Sequence, residues 1–455
     1  MSEPRPEGRP RPAGPAPAAP DRLSGAAVIP LATLDPAAPL DDLGWLDAVA
    51  GDARVVAIGE SAHYNAETYR LRHRLLRYLV ERHGFGAYAM ETGFTEGWTA
   101  DAWVRGAGSA PDRLGEVLAR GVTSLMGLWT QMGDHLEWMR GRNRTAASPV
   151  GFYGIDLGGS NVSLLPSLDA ALGYLAAADP GFGPDPAIRA AAASFAVPSA
   201  FSAGAALAGY GRLAPEAKDA LTAGLARLTA RMTALGPDYR RRTSAEDYER
   251  ALRSLRHAAA IDTLVRALSG GEPQAGTNLR EAAIADTVEW ILGREDRIVL
   301  AAHNGHVQRW YSAVPGMPAF ASAGLRLAER LGGDYRVIGV TSGTGRTLNT
   351  GPGFHAGELF TEQPAPRPGS LDALMAASHD GAFATDLRRL APADTAAVRA
   401  AGEQRHGGYY AEADAIAAFD AIVHLPRVTA AEPDRAALAH APAEVQEAFS
   451  AHLGG

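Results

Sequence analysis

Short apolar runs that end in a charged or imidazole residue recur along this chain, and they constrain its fold more than any other feature. Val55-Val56-Ala57-Ile58 runs into Gly59-Glu60, and Ala87-Tyr88-Ala89-Met90 into Glu91. Gly151-Phe152-Tyr153-Gly154-Ile155 runs into Asp156, and Ile298-Val299-Leu300-Ala301 toward His303. Apolar runs bounded by turn residues read as strands. Two more are expected at Tyr335–Val340 and Ala421–Leu425. Between the first two strands Leu71, Leu75, Leu76, Leu79 and Val80 repeat at helical spacing, with Gly84 placed to cap the C-terminus. Between the second and third, Trp129, Met132, Leu136 and Met139 do the same. Strand–helix–strand alternation requires right-handed crossovers, so the fold class is α/β with a mostly parallel sheet covered by helices.

The stretch 161–286 has a different pattern, almost wholly helical over Leu164–Ala177, Ala214–Leu235 and Ser244–Leu268. Ser244 and Asp247 have capping-box spacing. The chain therefore divides into a Pro/Arg-rich tail over 1–25, a first part of the α/β core over 26–160, and a helical insertion over 161–286. A second part of the core over 287–430 and a C-terminal helical tail over 431–455 follow. The tail's low hydrophobicity predicts disorder. It has no apolar segment of a secretory signal or membrane span, so a cytoplasmic location is expected. A net charge of −8 argues against a nucleic-acid partner. The absence of cysteine removes disulfides, a catalytic thiol and thiolate ligands. No oligomeric state can be read from the sequence.

In open parallel sheets ligands bind beyond the carboxyl ends of the strands. Four such ends here deliver Glu60, Glu91, Asp156 and His303. Acidic groups at strand ends also cap the helices that follow, and for Asp156, which opens an Asp-Leu-Gly-Gly turn, capping is the stronger reading. Glu60 and His63 stand three apart in one turn, close enough for the carboxylate to orient the imidazole. Such a pair lets neutral histidine take a proton from water while the glutamate stabilises the imidazolium. His303-Asn304-Gly305-His306, with glutamates nearby, also suggests a zinc site, as the less favoured reading. Phosphate-binding loops of the G-x-x-x-x-G-K-S/T type, the dinucleotide fingerprint, the G-x-S-x-G elbow and H-E-x-x-H are all absent.

Taken in order, several segments resemble the erythromycin esterase family over about Val28 to Arg427. They are Ile58–His63, Arg72, Tyr78–Phe85, Met90-Glu91, Gly154–Leu157, Ala302–Gln308, Gly333–Arg336 and Phe419–Val423. The resemblance implies a three-layer core with added helices, and hydrolysis of a macrolide lactone with neither metal nor cofactor. His63 is then the base that activates water. Glu60, Arg72, Glu91, His303 and His306 line the same cleft. Arg72 is singled out only by the resemblance, since Arg70, Arg74 and Arg77 crowd the same helix. Either Arg72 or His303 is expected to stabilise the oxyanion, and His303 or His306 to return a proton to the leaving alkoxide. His306, Asp156, Tyr64 and Asn304 are expected to contact substrate, a bulky polyketide-like small molecule. The chain departs from the family at Ser61-Ala62-His63-Tyr64, where Gly-Glu-Ala-Thr-His-Gly is common, and at Arg280-Glu281, where Arg-Asp is common. A non-hydrolytic biosynthetic reaction (cyclisation, elimination or acyl transfer) uses the same acid–base groups and stands as the alternative. A drug-sequestering resistance protein is a third.

Overall fold

Every residue of Val55–Ile58, Ala87–Gly93, Gly151–Asp156 and Ile298–Ala301 is buried. Strands sealed on both faces require cover above and below. The computed structural model, which describes residues 20–108 and 110–454, provides it. In chain order its strands are β1 (Ile29–Pro30), β2 (Val55–Ile58), β3 (Ala87–Gly93), β4 (Gly151–Asp156), β5 (Ile298–Ala301), β6 (Tyr311–Ser312) and β7 (Phe320–Ala321). There follow β8 (Tyr335–Leu348), β9 (Phe360–Gln363), β10 (Phe383–Asp386), β11 (Glu403–His406), β12 (Tyr409–Glu412) and β13 (Ala421–Val428). The main sheet has the order β1-β10-β13-β8-β2-β5-β3-β4, with β9 also paired to β8. From β13 to β4 the strands run parallel, β9 and β10 run against them, and β1 pairs antiparallel with β10.

Side chains alternate between the two covering layers, as the pleat demands. Val56, Ile58, Tyr88 and Met90 face Leu75 and Leu79 of the helix Ala66–His83, and Met132 and Leu136 of the helix Thr130–Asn143. Val55, Ala57, Ala87 and Ala89 face Ile284, Val288 and Ile291 of the helix Pro273–Leu292. Gly84 ends the first helix in the left-handed conformation, φ 68°, where a side chain would be strained. The chain lays down β2, β3 and β4, then returns to insert β5 between β2 and β3 and to add β8 on the far side of β2. That reversal opens a crevice beyond the carboxyl ends of β2, β5 and β3.

Several boundaries differ from the sequence reading. β3 continues to Gly93, so Glu91 lies within a strand, because after a register shift Gly93 still finds Asp156 on β4. β8 runs on to Leu348 since β9 pairs with its far half. The helices Leu165–Ala178, Pro215–Ala234 and Ala245–Ser269 enclose a separate core around Leu168, Leu228 and Leu255, and Ser244 Oγ accepts the Asp247 N–H at 3.0 Å. The helix Pro273–Leu292 runs through residue 286, and its last turns pack on the sheet. Of the expected tail, residues 1–19 lie outside the described residues. Leu23 is buried against the sheet layer, and Ser24 bonds Asp394 through both its N–H and its hydroxyl at 2.7 Å. The helix Ala443–Gly454 is likewise docked, with the Phe449 ring 5.2 Å from that of Trp129. No described helix is long and apolar enough to cross a membrane.

Candidate active site

β2, β5, β3 and β4 are neighbours in the sheet, so the polar groups at their ends form one row. The turn after β2 is shaped by a close approach. A Cβ on Gly59 would stand 1.9 Å from Oδ1 of Asn304. Asn304 is fully buried there, accepting the Val340 N–H at 3.1 Å and donating to the Val340 carbonyl at 2.7 Å, while its own N–H donates to the Glu60 carbonyl at 2.9 Å. It knits β8 to the turn and does not reach the cleft, contrary to the substrate contact expected of it.

Glu60 is buried between an imidazole and a guanidinium. Its Oε1 meets Nδ1 of His63 at 2.6 Å, and its Oε2 meets Nη1 of Arg72 at 3.0 Å. Arg72 spends its Nη2 on the carbonyls of Ile58 at 3.2 Å and Ala302 at 2.6 Å. It therefore braces Glu60 from below, and with its remaining Nε buried it does not line the cleft. His63 lines the cleft, with about a quarter of its side chain exposed. Burial pulls its pKa down, but Glu60 and Glu91 outweigh that and hold it above the ordinary histidine value.

Glu91 lies at the centre. Its Oε2 accepts the His303 N–H at 2.8 Å. Its Oε1 is 3.1 Å from Nε2 of His306, 3.3 Å from Nη2 of Arg280 and 4.0 Å from Nε2 of His63. Burial would raise this carboxyl, yet the facing His306, His63 and Arg280 hold it well below the usual carboxylate range. On the far side Nδ1 of His306 meets Oε1 of Glu281 at 2.7 Å. Burial opposes the charge on His306, but Glu281 and Glu91 push its pKa up to about 10. Asp156 grips Arg280 with both oxygens, at 2.9 and 2.6 Å. It orients Arg280 and does not line the cleft.

The tautomer of His303 follows from its partners. Nδ1 accepts the Gly305 N–H at 3.1 Å, so Nε2 carries the proton and donates to the Ser61 carbonyl at 3.2 Å. Burial and the neighbouring His406, His63 and His306 hold it well below the ordinary value, hence neutral. With both nitrogens committed, His303 shapes the cleft and has no proton to give. Tyr64 lines the cleft in a left-handed conformation, φ 63°, and its hydroxyl donates to the Ser124 carbonyl at 2.6 Å.

The cleft encloses about 420 Å³. From 161–286 only Thr277 and Arg280 reach it, both on the helix Pro273–Leu292. The other insertion helices stand behind that one and do not wall the cleft. Arg280, Glu281 and His406 are site residues that the sequence reading left unassigned. The first two are consecutive on a helix, so their side chains diverge by about 100°. One turns to Asp156 and Glu91, the other to His306. His406 sits on the β11–β12 hairpin beside His303, ring centroids 5.3 Å apart.

Among the described residues, Glu60, His63 and Glu91 present ligand atoms within 4.8 Å of one another, the spacing of a cation site. The fit is poor. Arg72 and Arg280 already face the two carboxylates, and Nδ1 of His63 is taken by Glu60. A divalent ion would bring two positive charges to four carboxylates that already face Arg72, Arg280 and the raised-pKa His306.

The family model described as Erythromycin esterase matches residues 80–428, a span that begins after Glu60 and His63 and takes in Glu91, His303 and His306. Erythromycin esterase type II of Escherichia coli is 29% identical over 340 residues, covering 71% of this chain and 78% of that protein. Erythromycin esterase type I of Escherichia coli is 25% identical over 309 residues, 65% of this chain and 71% of that protein. The solved structure of an erythromycin esterase mutant, EreC, in its open conformation superposes with a TM-score of 0.71 at 24% identity. It covers 88% of this chain and 97% of its own, a likeness of fold.

Proposed function

The chain belongs to the erythromycin esterase family and is by that kinship an esterase-type hydrolase, and we propose that it cleaves an ester or lactone of a bulky polyketide-like molecule with water activated by His63 and no metal. The observation that carries the proposal is the pose of His63. Nδ1 is fixed 2.6 Å from Glu60 while Nε2 faces Glu91 across 4.0 Å. One water can hydrogen-bond to both ends of such a gap.

Neutral His63 takes a proton from that water as its oxygen bonds to the acyl carbon, and Glu60 stabilises the imidazolium. Glu91, kept ionised by His306 and Arg280, orients the water and does not compete for the proton. The developing oxyanion requires a donor aimed at it. Arg280 supplies one, because Asp156 and Glu91 engage Nε and Nη2 and leave Nη1 without a described partner. Collapse of the tetrahedral intermediate breaks the acyl–oxygen bond, and the departing alkoxide takes the proton back from His63. The products are an acid and an alcohol, and the base is regenerated. Independence from metal is supported by the charge balance: four carboxylates (Glu60, Glu91, Asp156, Glu281) face Arg72, Arg280, charged His306 and a His63 that gains its proton in the reaction.

The test is steady-state hydrolysis of a 14-membered macrolide lactone and of p-nitrophenyl acetate after exhaustive chelation. Turnover should survive in the wild type and be lost in His63→Asn. Activity abolished by the chelator and restored by zinc would overturn the metal-free reading. An undiminished kcat in His63→Asn would overturn the base.

A further inference from the structure

Next to the catalytic cleft lies a second cavity of nearly equal size, about 410 Å³. The two have Ser124 in common as a dividing wall. The second cavity is assembled from distant parts of the chain, among them the end of the helix Leu114–Gly121, the turn after it, the loop after β4, residues 197–200 and the C-terminal segment.

The backbone at this junction is unusual. Among the described residues, the non-glycine positions with left-handed φ are Tyr64, Ser124, Leu125, Ser160 and Asn161. Ser124, Leu125 and Ser160 border the second cavity and Asn161 follows directly, while Tyr64 lines the cleft and donates to the Ser124 carbonyl. For residues such as Tyr64 and Leu125 this conformation brings Cβ too close to the following carbonyl oxygen and is strained. Strain of this kind persists where the surrounding structure over-determines it, and it concentrates at ligand clamps. Here every instance falls on the two cavities or beside them.

The lining indicates the chemistry. Val122, Leu128 and Val445 give apolar walls, and Arg120 at the rim is paired with Glu116 at 2.6 Å, so no bare cation faces the space. Glu96 closes one side: its Oε1 accepts the Gly159 N–H at 2.7 Å, its Oε2 is sealed from the space, and burial raises the pKa of its carboxyl.

We propose that this cavity is a distal subsite of the same binding site, receiving the apolar part of the substrate that extends past Ser124 from the reacting acyl group. The inference rests on the esterase reading of the cleft and adds the size and character of the substrate. Drug-sized ligands fill pockets of roughly 300–1,000 Å³. The cleft already falls in that range, and the second cavity adds about 410 Å³ for parts of a ligand that lie beyond the reacting group.

Ala119 and Ala200 border the second cavity from opposite segments, and neither lines the cleft. Ala119→Phe and Ala200→Phe should each fill it. Binding of erythromycin A is measured by titration calorimetry in a His63→Asn background, where hydrolysis is silenced. Turnover of p-nitrophenyl acetate is measured with His63 intact. Each filling variant should weaken macrolide binding by about tenfold or more and leave kcat/KM for p-nitrophenyl acetate at the wild-type value. Melting curves identify a variant that does not fold, and the other then decides. Unchanged macrolide affinity in a folded variant, equal losses on both ligands, or no macrolide binding by the parent would each overturn the subsite. If the wild type binds the macrolide in a way the fillings weaken, yet cleaves neither ester, the subsite stands and the hydrolase reading falls.

Discussion

Glu281 holds Nδ1 of His306 at 2.7 Å just as Glu60 holds Nδ1 of His63 at 2.6 Å, and both rings turn Nε2 toward the same oxygen of Glu91. The two Glu–His pairs differ in what surrounds them. His306 is 3.1 Å from Glu91, and Glu281 and Glu91 together overcome its burial and push its pKa up to about 10, so at neutral pH it is a fixed positive charge. His63 stands 4.0 Å away and faces the cleft, where it can exchange its proton with solvent and substrate. The geometry thus separates a standing counter-charge from the ring proposed as the base.

Replacing His63 with Asn or Ala is expected to lower kcat by about 10²–10⁴-fold, the usual contribution of a positioned base. KM should change little, since the loss falls on the transition state. Steady-state kinetics with a macrolide lactone reads both, and an unaltered melting temperature would show that the fold is kept.

The pH profile carries a sign. Only neutral His63 accepts a proton, so activity should rise with pH through its titration. Burial pulls that midpoint down, but Glu60 and Glu91 prevail, so it should lie above the free value of about 6.5. Glu60→Gln removes one of those charges and should move the midpoint of kcat/KM to lower pH while reducing the plateau. A midpoint unmoved in the variant would show that another group is being titrated.

Glu281→Gln is expected to bring the His306 titration down from about 10 toward the neutral range, because the largest force raising it is lost. NMR pH titration of the imidazole resonances checks this directly. As His306 discharges, Glu91 loses its nearest cation, so activity above neutral pH should fall more steeply than in the wild type.

A further expectation concerns stability. His73 and His135 stack at 4.7 Å inside the layer of the helices Ala66–His83 and Thr130–Asn143, with both ring nitrogens of His73 and Nε2 of His135 unbonded. Burial, with Arg77 nearby, lowers the His73 pKa to about 4. Burial, with His73 and Arg72 nearby, lowers that of His135 further. The unfolded chain binds these protons near pH 6.5, so stability is full above that pH and declines as pH falls toward 4. His73 alone accounts for about 3 kcal/mol across that window. Urea melts at pH 7 and pH 4.5 should therefore differ more in the wild type than in His73→Leu.

Much of the site was legible because strands buried on both faces announce themselves as apolar runs, and the residue that follows each run lands at the same edge of the sheet. Glu60, His63, Glu91 and His303 were found that way, and the adjacency of β2, β5, β3 and β4 brings them together. Which of them face a ligand was not legible. Arg72 and Asn304 have side chains that local spacing leaves free, yet each is consumed by backbone carbonyls contributed by distant strands, Ala302 in one case and Val340 in the other. Arg280 and Glu281 carry no strand-end signature, and only the packing of their helix on the sheet gives them roles. The β6–β7 and β11–β12 hairpins escaped notice for a related reason, since neither has an apolar run to mark it.

The carbonyl of Ser61 takes two donors, the His303 ring at 3.2 Å and the Gly407 N–H at the tip of the β11–β12 hairpin at 2.7 Å. It acts as a fulcrum. Two residues further along the same turn is His63, so any excursion of the hairpin that frees Gly407 also slackens the backbone from which the base projects. The rim of the cleft and the aim of His63 are therefore mechanically coupled through one carbonyl oxygen.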